Sequence, residues 1–397
     1  MSQTRLQNWH NVTIQDLGQI VTGRTPPSSN PEMFGGEYPF ITPSDMSFGL
    51  RRVSTERSIS NIGSSALGRI KLPPKSVAFV CIGATIGKVC LTYTESFTNQ
   101  QINSIIVNCE RYSPEFVYYL MLGIADEVKA LAGGAATPII NKSSFCGISV
   151  SVPPIETQLK IASILSVYDD FIENNTRRIE ILEEKARRLY EEWFVQFRFP
   201  GHEEVELKES ELGLIPATWE IATVGDAVGR ISTGPKYCQR TVSVSGSIPV
   251  LDQGKQGVIG YHSDEPGVWA SLSDPVIVFS NHTCYQKIIL HPFSTIQNVL
   301  PFKSSDKYKR DIYWLHNATY GVVELNDYKG HWPQFTSKKI IVAEEQLTAR
   351  FGRLAEPIYH LIFSLQRKNN NLRKQRDLLL PKLISGEIDV SEVPMPN

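Results

Sequence analysis

The sequence predicts an α+β protein: two β-rich domains of mixed topology, related by a pseudo-twofold and joined by two long antiparallel, coiled-coil-like helices. Three observations lead to this prediction. The order of apolar and polar segments in residues 9–153 recurs in residues 219–343. Each copy is followed by a long stretch of helix-forming residues with apolar positions at heptad spacing. No apolar run approaches the roughly 18 residues that a membrane-spanning helix needs.

The composition is typical of a globular chain with more than one core. With 397 residues, 41% of them hydrophobic, the chain is long enough for two or three domains. The first eleven residues are polar and lack the apolar segment of a secretory signal, so we expect a cytoplasmic protein. The six cysteines form no CxxC pair and no zinc-type spacing. We therefore expect reduced, structural cysteines and no metal site.

Charge is unevenly distributed although the net charge is only −1. Residues 1–150 and residues 219–343 each hold 12 Lys/Arg against 10 Asp/Glu, whereas residues 200–218 hold one Lys against five Glu. Two weakly basic domains separated by an acidic connector permit binding of a polyanion, but this charge is also common among ordinary domains.

The first domain, predicted over residues 1–153, shares its opening pattern with the second domain, predicted over residues 219–343. Asp16 follows Trp9 by seven residues, Asp226 follows Trp219 by seven, and a Thr-Gly pair comes after each. Later strand-like segments recur in the same order, 38–46 with 247–255 and 76–91 with 274–290. Because the order recurs while the residues differ, we interpret the halves as a duplication with two pockets that do one job on different targets. Chance similarity of two unrelated domains is the alternative.

The two aspartates that open the copies admit two interpretations. A catalytic role is possible for a carboxylate, but Asp16 and Asp226 lie at the same distance from a tryptophan in both halves. We expect them to cap a helix or close a turn.

The central helix is predicted over residues 154–199. From Ile155 no Gly or Pro occurs before Pro200, and the preceding prolines suit a helix start. Ile172, Ile179 and Ala186 fall at one heptad position of this segment. Residues 200–218 are predicted to be a linker.

The distal helix is predicted over residues 344–390. Ile358, Leu365, Leu372 and Leu379 repeat at heptad spacing. Pro357 is expected to kink the helix or restart it, because proline removes one backbone hydrogen bond of a helix interior.

An apolar seam of this length requires a partner, since most helical stability comes from burial of the apolar face. The simplest partner for each long helix is the other one. Antiparallel pairing places the Asn residues of the two seams, at 174–175 and 369–371, near each other, where they fix the register. The helices then act as a spacer between the domains. The alternative is that each helix packs on its own domain.

Catalytic motifs are scarce in the sequence. The segment GATIGKV, residues 83–89, has three residues between its glycines and Val after the Lys, so it does not match a phosphate-binding loop. Glu183 to Lys185 have the spacing of a nuclease motif but lie on the charged face of the central helix, where exposed ion pairs are usual. No HExxH, GxSxG or amino-methyltransferase motif occurs. The chain is therefore predicted not to be an enzyme.

Polar and planar side chains are abundant in the predicted loops of both domains. Arg and Lys suit guanine edges, Asn and Gln suit adenine edges, and all of them can bind phosphate. The alternative for any single residue is an ordinary polar surface loop. The DNA-binding candidates are Arg24, Ser44, Asp45, Arg51, Arg52, Arg57, Lys88, Asn99 and Gln100 in the first domain, and Lys236, Tyr237, Gln239, Arg240, Gln253, Lys255, Gln256, Asn281, His282, Tyr285, Lys287, His331 and Gln334 in the second.

Three segments give the chain a family resemblance that extends over its whole length. They are ELGLIPATWE at 211–220, the helical segment at 152–194, and RKQRDLLLPKLISGEIDV at 373–390. The chain resembles the specificity subunit of type I restriction-modification systems.

The resemblance implies a non-catalytic subunit that binds double-stranded DNA. Each domain would read one half of a bipartite, asymmetric target, and the helices would set the gap. Two methyltransferase subunits would dock and supply S-adenosylmethionine chemistry, and restriction subunits would use ATP and Mg. No cofactor is expected on this chain.

Methyltransferase docking is assigned to the flanks of the helices and to four clustered aromatic residues, Trp193, Phe194, Phe197 and Phe199. A local core under the first domain is the alternative for these four. Two alternatives stay open for the whole chain: a freestanding DNA-binding protein, such as a regulator or an antagonist of restriction, and an enzyme with unrecognised motifs.

Overall fold

The computed structural model describes residues 8–132, 138–254, 257–325 and 330–395. The chain forms two compact units. The first unit comprises Met1–Thr176 and Arg367–Asn397, and the second unit comprises Arg177–Gln366. The five segments predicted from the sequence set the helices apart from the domains. In the structure each long helix is instead divided between the units, because each helix half is packed into one core.

The first unit contains nine strands and four short helices among its described residues, followed by the first long helix. In chain order these are β1 (His10–Thr13), β2 (Gly18–Thr22), β3 (Phe34–Ile41), β4 (Arg57–Ile59), α1 (Asn61–Ala66), β5 (Val77–Val80), β6 (Val89–Leu91), β7 (Phe97–Thr98), β8 (Ile102–Val107), α2 (Pro114–Gly123), α3 (Ala125–Leu131), α4 (Lys142–Cys146), β9 (Ser149–Val152) and α5 (Ile155–Tyr190).

The elements after α5 follow in chain order. They are β10 (Leu207–Ser210), β11 (Gly213–Pro216), β12 (Glu220–Thr223), α6 (Val224–Ala227), β13 (Val228–Arg230), β14 (Lys236–Tyr237), β15 (Ile248–Leu251), β16 (Val258–His262), β17 (Val276–Ser280), β18 (Gln286–Ile289), β19 (Ser294–Ile296), β20 (Val299–Ser304), α7 (Ile312–Thr319), α8 (Trp332–Ser337), β21 (Lys339–Val342) and α9 (Glu345–Ile384). Residues 177–190 of α5 lie in the second unit, and residues 367–384 of α9 lie in the first. The predicted α+β class is confirmed.

The predicted duplication is visible in the strand order. The sheet β2-β8-β5-β6 of the first unit has its equivalent in β13-β20-β17-β18 of the second, and the pair β1-β9 has its equivalent in β12-β21. Both units contain parallel pairing with a later strand, of β3 with β7 in the first and of β15 and β14 with β19 in the second. Two units that share order and direction of strands share a fold, whatever their side chains.

The two aspartates after the tryptophans close the same turn in both units. Asp16 Oδ2 accepts hydrogen bonds from the amide and hydroxyl of Thr13 at 2.7 and 2.6 Å. Asp226 Oδ2 does the same with Thr223 at 3.3 and 2.6 Å. The prediction of a capping or turn role is therefore confirmed.

Burial of the long helices follows the heptads. Asn175 Nδ2 donates to Asn369 Oδ1 at 2.9 Å, and both side chains are buried in the first unit. In the second unit Ala186 packs against Ile358 and Ile362. The prediction that the seam asparagines lie near each other is confirmed, and such a pair fixes the register of two helices because a slip would leave a buried amide unpaired.

The helix ends differ from the prediction. α5 ends at Tyr190 and continues as a π-helical turn over Glu191–Val195, after which Phe197 has a left-handed backbone with φ of 56°. α9 ends at Ile384 rather than near residue 390 and runs through Pro357 without interruption. The predicted restart at that proline is wrong; Pro357 is exposed, so the lost hydrogen bond faces solvent.

The predicted linker contains structure of its own. β10 and β11 form a hairpin whose tight turn uses Gly213, with φ of +96°. Ile215 of this hairpin is buried, and Glu211 pairs with Lys339 of the second unit. None of the helices in the described parts of the chain is long and apolar enough to cross a membrane.

A buried histidine in the second unit gives an acid-sensitive core. His316 lies within hydrogen-bonding distance of Gln286, with 3.1 Å between Nδ1 and Nε2, and burial lowers the pKa of His316 from 6.5 to about 3. Below pH 6.5 the unfolded chain binds a proton that the folded chain does not, so the free energy of unfolding falls with falling pH.

We expect this one group to contribute a loss of about 1.4 kcal/mol per pH unit between roughly pH 6 and 4. Urea unfolding followed by circular dichroism measures it, with His316→Asn as the matched variant that stays neutral. The variant should show a shallower pH dependence. Equal slopes for both proteins would contradict the assignment.

Candidate functional site

Three loops meet beside β5 in the first unit, and their equivalents meet beside β17 in the second. In the first unit the amide of Cys81 donates to Gln101 O, and the amide of Ile140 donates to Cys81 O, both at 2.8 Å. In the second unit the amide of Asn281 donates to Asn298 O, and the amide of His331 donates to Asn281 O, both at 2.9 Å. Backbone hydrogen bonds therefore join equivalent loops in both units.

We name these sites by their segments. The first loop cluster comprises residues 81–88, 99–101 and 138–141 together with a fourth segment, 42–45, which Lys88 contacts through Pro43 O. The second loop cluster comprises residues 281–285, 297–298 and 330–332 together with a fourth segment, 252–254, which Thr283 contacts through Gln253 O.

A cleft of about 340 Å³ opens in the first loop cluster. Of the predicted residues, Ser44, Asp45, Arg57 and Asn99 line it. The full lining is Thr42, Pro43, Ser44, Asp45, Glu56, Arg57, Asn99 and Gln101. Four predicted residues thus converge, together with Thr42 and Glu56, which the sequence did not single out.

Asp45 holds the shape of this cleft. Its Oδ2 accepts from the amide and hydroxyl of Thr42 at 2.8 and 2.7 Å, and its Oδ1 accepts from the amide of Glu56 at 3.0 Å. A carboxylate with these bonds closes a loop and is not free to bind a base edge. The T-x-x-D pattern at residues 42–45 is the signal that would have indicated this turn.

Cationic and amide groups surround the cleft. The guanidinium of Arg57 is exposed and lies 4.0 Å from the ring centre of Phe34. Lys88 Nζ donates to Pro43 O at 2.8 Å, and partial burial lowers its pKa. Asn99 is buried and bonded to Gln101, whereas Gln100 is exposed and accepts a bond from Thr25 at 2.8 Å.

Two predicted arginines of the first unit lie away from the cleft. Arg51 is 7% exposed and pairs with Asp170 and Glu173 of α5 at 2.5 and 3.1 Å. Arg52 stacks on Tyr93 at 4.4 Å. Arg51 is therefore corrected from a DNA contact to a structural ion-pair residue, since a buried charge requires its partners. Arg24 is exposed, and its amide donates to Thr98 O at 2.9 Å beside the 99–101 segment.

In the second loop cluster two of the predicted residues, Gln253 and His282, contact each other. Gln253 Oε1 accepts from the amide of His282 at 2.8 Å, and its Nε2 lies 3.3 Å from His282 Nδ1. The hydroxyl of Thr283, which the prediction missed, donates to Gln253 O at 2.6 Å. Because Gln253 fixes this segment, His282 presents its exposed ring in one place.

Asn281 and His331 have structural roles. Asn281 Oδ1 accepts from the amide of Trp332 at 2.7 Å, and its carbonyl lies 3.0 Å from His331 Nδ1. The ring of His331 is fully buried. His331 is corrected from a DNA contact to a buried residue that precedes α8, and the side-chain oxygen of the half-buried Asn281 bonds the first turn of that helix.

The other candidates of the second unit are spread. Lys236 Nζ donates to Thr295 Oγ1 at 2.9 Å, and Tyr237 stacks on His262 with ring centres 4.2 Å apart. Gln239 and Arg240 follow them on an exposed loop.

Tyr285, in the second loop cluster, and Lys287, two residues beyond it, are half-buried. Burial raises the pKa of Tyr285 and lowers that of Lys287. Gln334 lies on α8. Lys255 and Gln256 lie outside the described residues.

The four aromatic residues predicted to dock a partner belong to the core of the second unit. Trp193, Phe194 and Phe199 are buried, and Phe194 packs on Trp219, with ring centres 5.7 Å apart. The half-buried Phe197 contacts the same tryptophan. The docking assignment is corrected: the π-helical turn and the left-handed Phe197 turn these rings inward. The alternative of a core under the first domain is also wrong, since the second unit contains them.

The structure thus places two equivalent loop clusters on one repeated scaffold. Among the described residues no group of three or more His, Cys, Asp or Glu is placed to hold a metal ion.

Comparison with known proteins shows what the chain is similar to. Residues 7–184 match the type I restriction modification DNA specificity domain. The chain is 26% identical over 420 residues to the type I restriction enzyme MjaIX specificity subunit of Methanocaldococcus jannaschii, covering 98% of this chain and 95% of the relative. It is 35% identical over 190 residues to the HindI specificity subunit of Haemophilus influenzae, covering 46% of this chain and 41% of the relative.

A solved structure has the same fold. The type I restriction-modification S subunit from M. genitalium superposes with a TM-score of 0.56 at 18% identity, over 95% of this chain and 96% of that one. These similarities agree with the resemblance to type I restriction-modification specificity subunits that the sequence predicted.

Proposed function

We propose that this chain supplies DNA sequence specificity to a type I restriction-modification complex, with each loop cluster reading one half of a bipartite, asymmetric target. The observation that carries this proposal is the repeated backbone assembly with unlike side chains. Arg57, Ser44 and Gln100 are offered by the first site, and His282 and Gln253 by the second. One scaffold with two side-chain sets suits two unlike half-sites.

The long helices serve as spacer and docking platform in this proposal. With the aromatic cluster buried, the remaining apolar groups for docking are exposed side chains on α5 and α9. They are Val167, Phe171, Ile181, Leu354, Leu361 and Leu378. Exposed apolar residues along paired helices suit a protein partner.

The chemistry is assigned to the partners. Two methyltransferase subunits bind S-adenosylmethionine and flip the target base, and restriction subunits bind ATP and Mg. This chain itself is non-catalytic and binds DNA without a cofactor, in the cytoplasm. Because its two domains are only weakly basic, DNA affinity depends partly on phosphate contacts from the methyltransferases.

The proposal is tested by methylome sequencing of a host that expresses this chain with its methyltransferase, against the methyltransferase alone. One split motif with a constant gap, methylated only when both are present, is expected. Absence of such a motif, together with site-specific DNA binding by the chain alone, would favour the freestanding DNA-binding protein.

Single substitutions should alter one half of that motif only. Arg57→Ala removes an exposed guanidinium from the first cleft, and His282→Ala removes an exposed imidazole from the second cluster. We expect each to lose about 1–3 kcal/mol of base discrimination in its own half-site. The motif logos of the two variants measure this, and each variant serves as the control for the other. A change in both halves with either variant would contradict independent reading.

A further inference from the structure

The loop that contains Ser44 is attached to the long helices at its middle. It runs between β3 and β4, residues 42–56, and Asp45 closes its base. At its middle Arg376 of α9 donates to Gly49 O at 2.6 Å. Two residues further on, Arg51 forms the ion pairs with α5 described above. A loop of this length is thus fixed at both its base and its middle.

The attachment through Arg376 continues into the core of the first unit. Arg376 Nη1 lies 2.5 Å from Asp169 Oδ1, and both side chains are at most 3% exposed. Asp169 Oδ2 accepts a hydrogen bond from Tyr119 of α2 at 2.7 Å. Contacts therefore run without a gap from α2 through α5 and α9 to the Gly49 carbonyl. A buried, fully bonded network of this kind is rigid.

The described part of the second unit has an equivalent of the bond between Tyr119 and Asp169, but an alanine at the position equivalent to Arg376. Asp169 lies fourteen residues after the first residue of α5, and Tyr359 lies fourteen after the first residue of α9. Asn317 of α7 donates to the hydroxyl of Tyr359 at 3.0 Å, as Tyr119 donates to Asp169. At the position equivalent to Arg376, thirty-one residues into its helix, stands Ala186.

Ala186 makes no charged contact because its side chain is a methyl group, and it packs against Ile358 and Ile362 instead. Helix packing at this place therefore does not require an arginine. Besides its ion pairs with Asp169 and Asp377, the arginine in the first unit makes the bond to the loop, which an alanine cannot make.

We propose that Arg51 and Arg376 are positioning residues for the first half-site: they hold the 42–56 loop on the helix pair so that Ser44 faces one DNA sequence beside Arg57 of β4. This inference rests on the proposed function and adds a residue role to it. A loop released from both anchors samples more conformations. DNA binding must then offset the entropic cost of ordering the loop. The first half-site loses discrimination, while the second keeps it.

Two variants in the full chain, expressed with its methyltransferase, test the proposal. Arg51→Met keeps most of the stem and removes the charge, and it leaves Asp170, whose side chain is 66% exposed, in water. Asp169→Tyr with Arg376→Ala installs the residues of the second unit and leaves no buried charge. Both are chosen to fold, and thermal melting by circular dichroism checks that they do.

The readout is the methylated motif, scored separately for the two halves. We expect about tenfold weaker discrimination in the first half-site and an unchanged second half-site. Tyr359→Phe is the matched control, because it removes the hydroxyl at the position of the second unit that is equivalent to Asp169. Asn317 keeps its bond to the Tyr313 carbonyl in this variant. This control should leave both halves unchanged.

Two results would overturn the positioning role: a wild-type first half-site in both variants, or a uniform loss of methylation with the motif intact, which a purely structural role produces. Failure of the proposed function looks different, because the wild-type chain itself would then give no split motif.

Discussion

A chain that lacks one heptad from each long helix is expected to direct methylation to the same two half-sites with a shorter gap. Removing Arg177–Glu183 from α5 and Ile362–Lys368 from α9 shortens each helix by about 10 Å and keeps the heptad phase. At 3.4 Å per base pair, this corresponds to a gap shorter by roughly three base pairs. Methylome sequencing with the methyltransferase measures both the gap and the half-sites.

Deletion of four residues from α5 alone, between Asn175 and Leu189, is the control. It changes the phase of the seam as well as its length, so the apolar positions no longer meet those of α9. We expect reduced methylation from this variant. If the heptad deletion produced methylation at the original gap, the helices would not be the spacer.

Replacing Arg376 alone by methionine is expected to destabilise the first unit strongly. The change leaves the Asp169 carboxylate buried with one hydrogen bond from Tyr119. Breaking a buried ion pair by removing one partner costs about 3–5 kcal/mol, because an uncompensated charge stays in the core. Hydrogen–deuterium exchange should show faster exchange in residues 155–176 and 367–384.

The control for this variant is the double change Asp169→Asn and Arg376→Met. It removes both charges and should recover most of the lost protection. Unchanged exchange in Arg376→Met would mean that the pair contributes little to stability.

The repeated scaffold and the long helices could be predicted from the sequence because their signals are periodic. Heptad spacing identified the seam, including the meeting of Asn175 with Asn369, and the recurring order of segments identified two like units. Turn closure by Asp16 and Asp226 followed from their equal distance from a tryptophan. These signals are patterns within the sequence itself, so they can be recognised without a structure.

The identity of the exposed loop residues could not be predicted in this way. Arg51 and His331 are residue types that often contact DNA, yet both side chains are buried. Their partners, Asp170 for Arg51 and Asn281 for His331, lie more than 40 residues away in the sequence. The aromatic residues after Tyr190 turn inward because of a π-helical turn and a positive φ, which no heptad pattern records. Tertiary context decided each of these positions.

The tryptophans of the second unit make intrinsic fluorescence a probe of that unit. Five of the six tryptophans, all except Trp9, belong to that unit. The backbone amide of one of them, Trp332, donates a hydrogen bond to the side-chain oxygen of Asn281 at the base of the second loop cluster. Intrinsic fluorescence therefore reports on one half of the molecule. DNA that engages only the second cluster should change the emission, whereas DNA that engages only the first should leave it nearly constant.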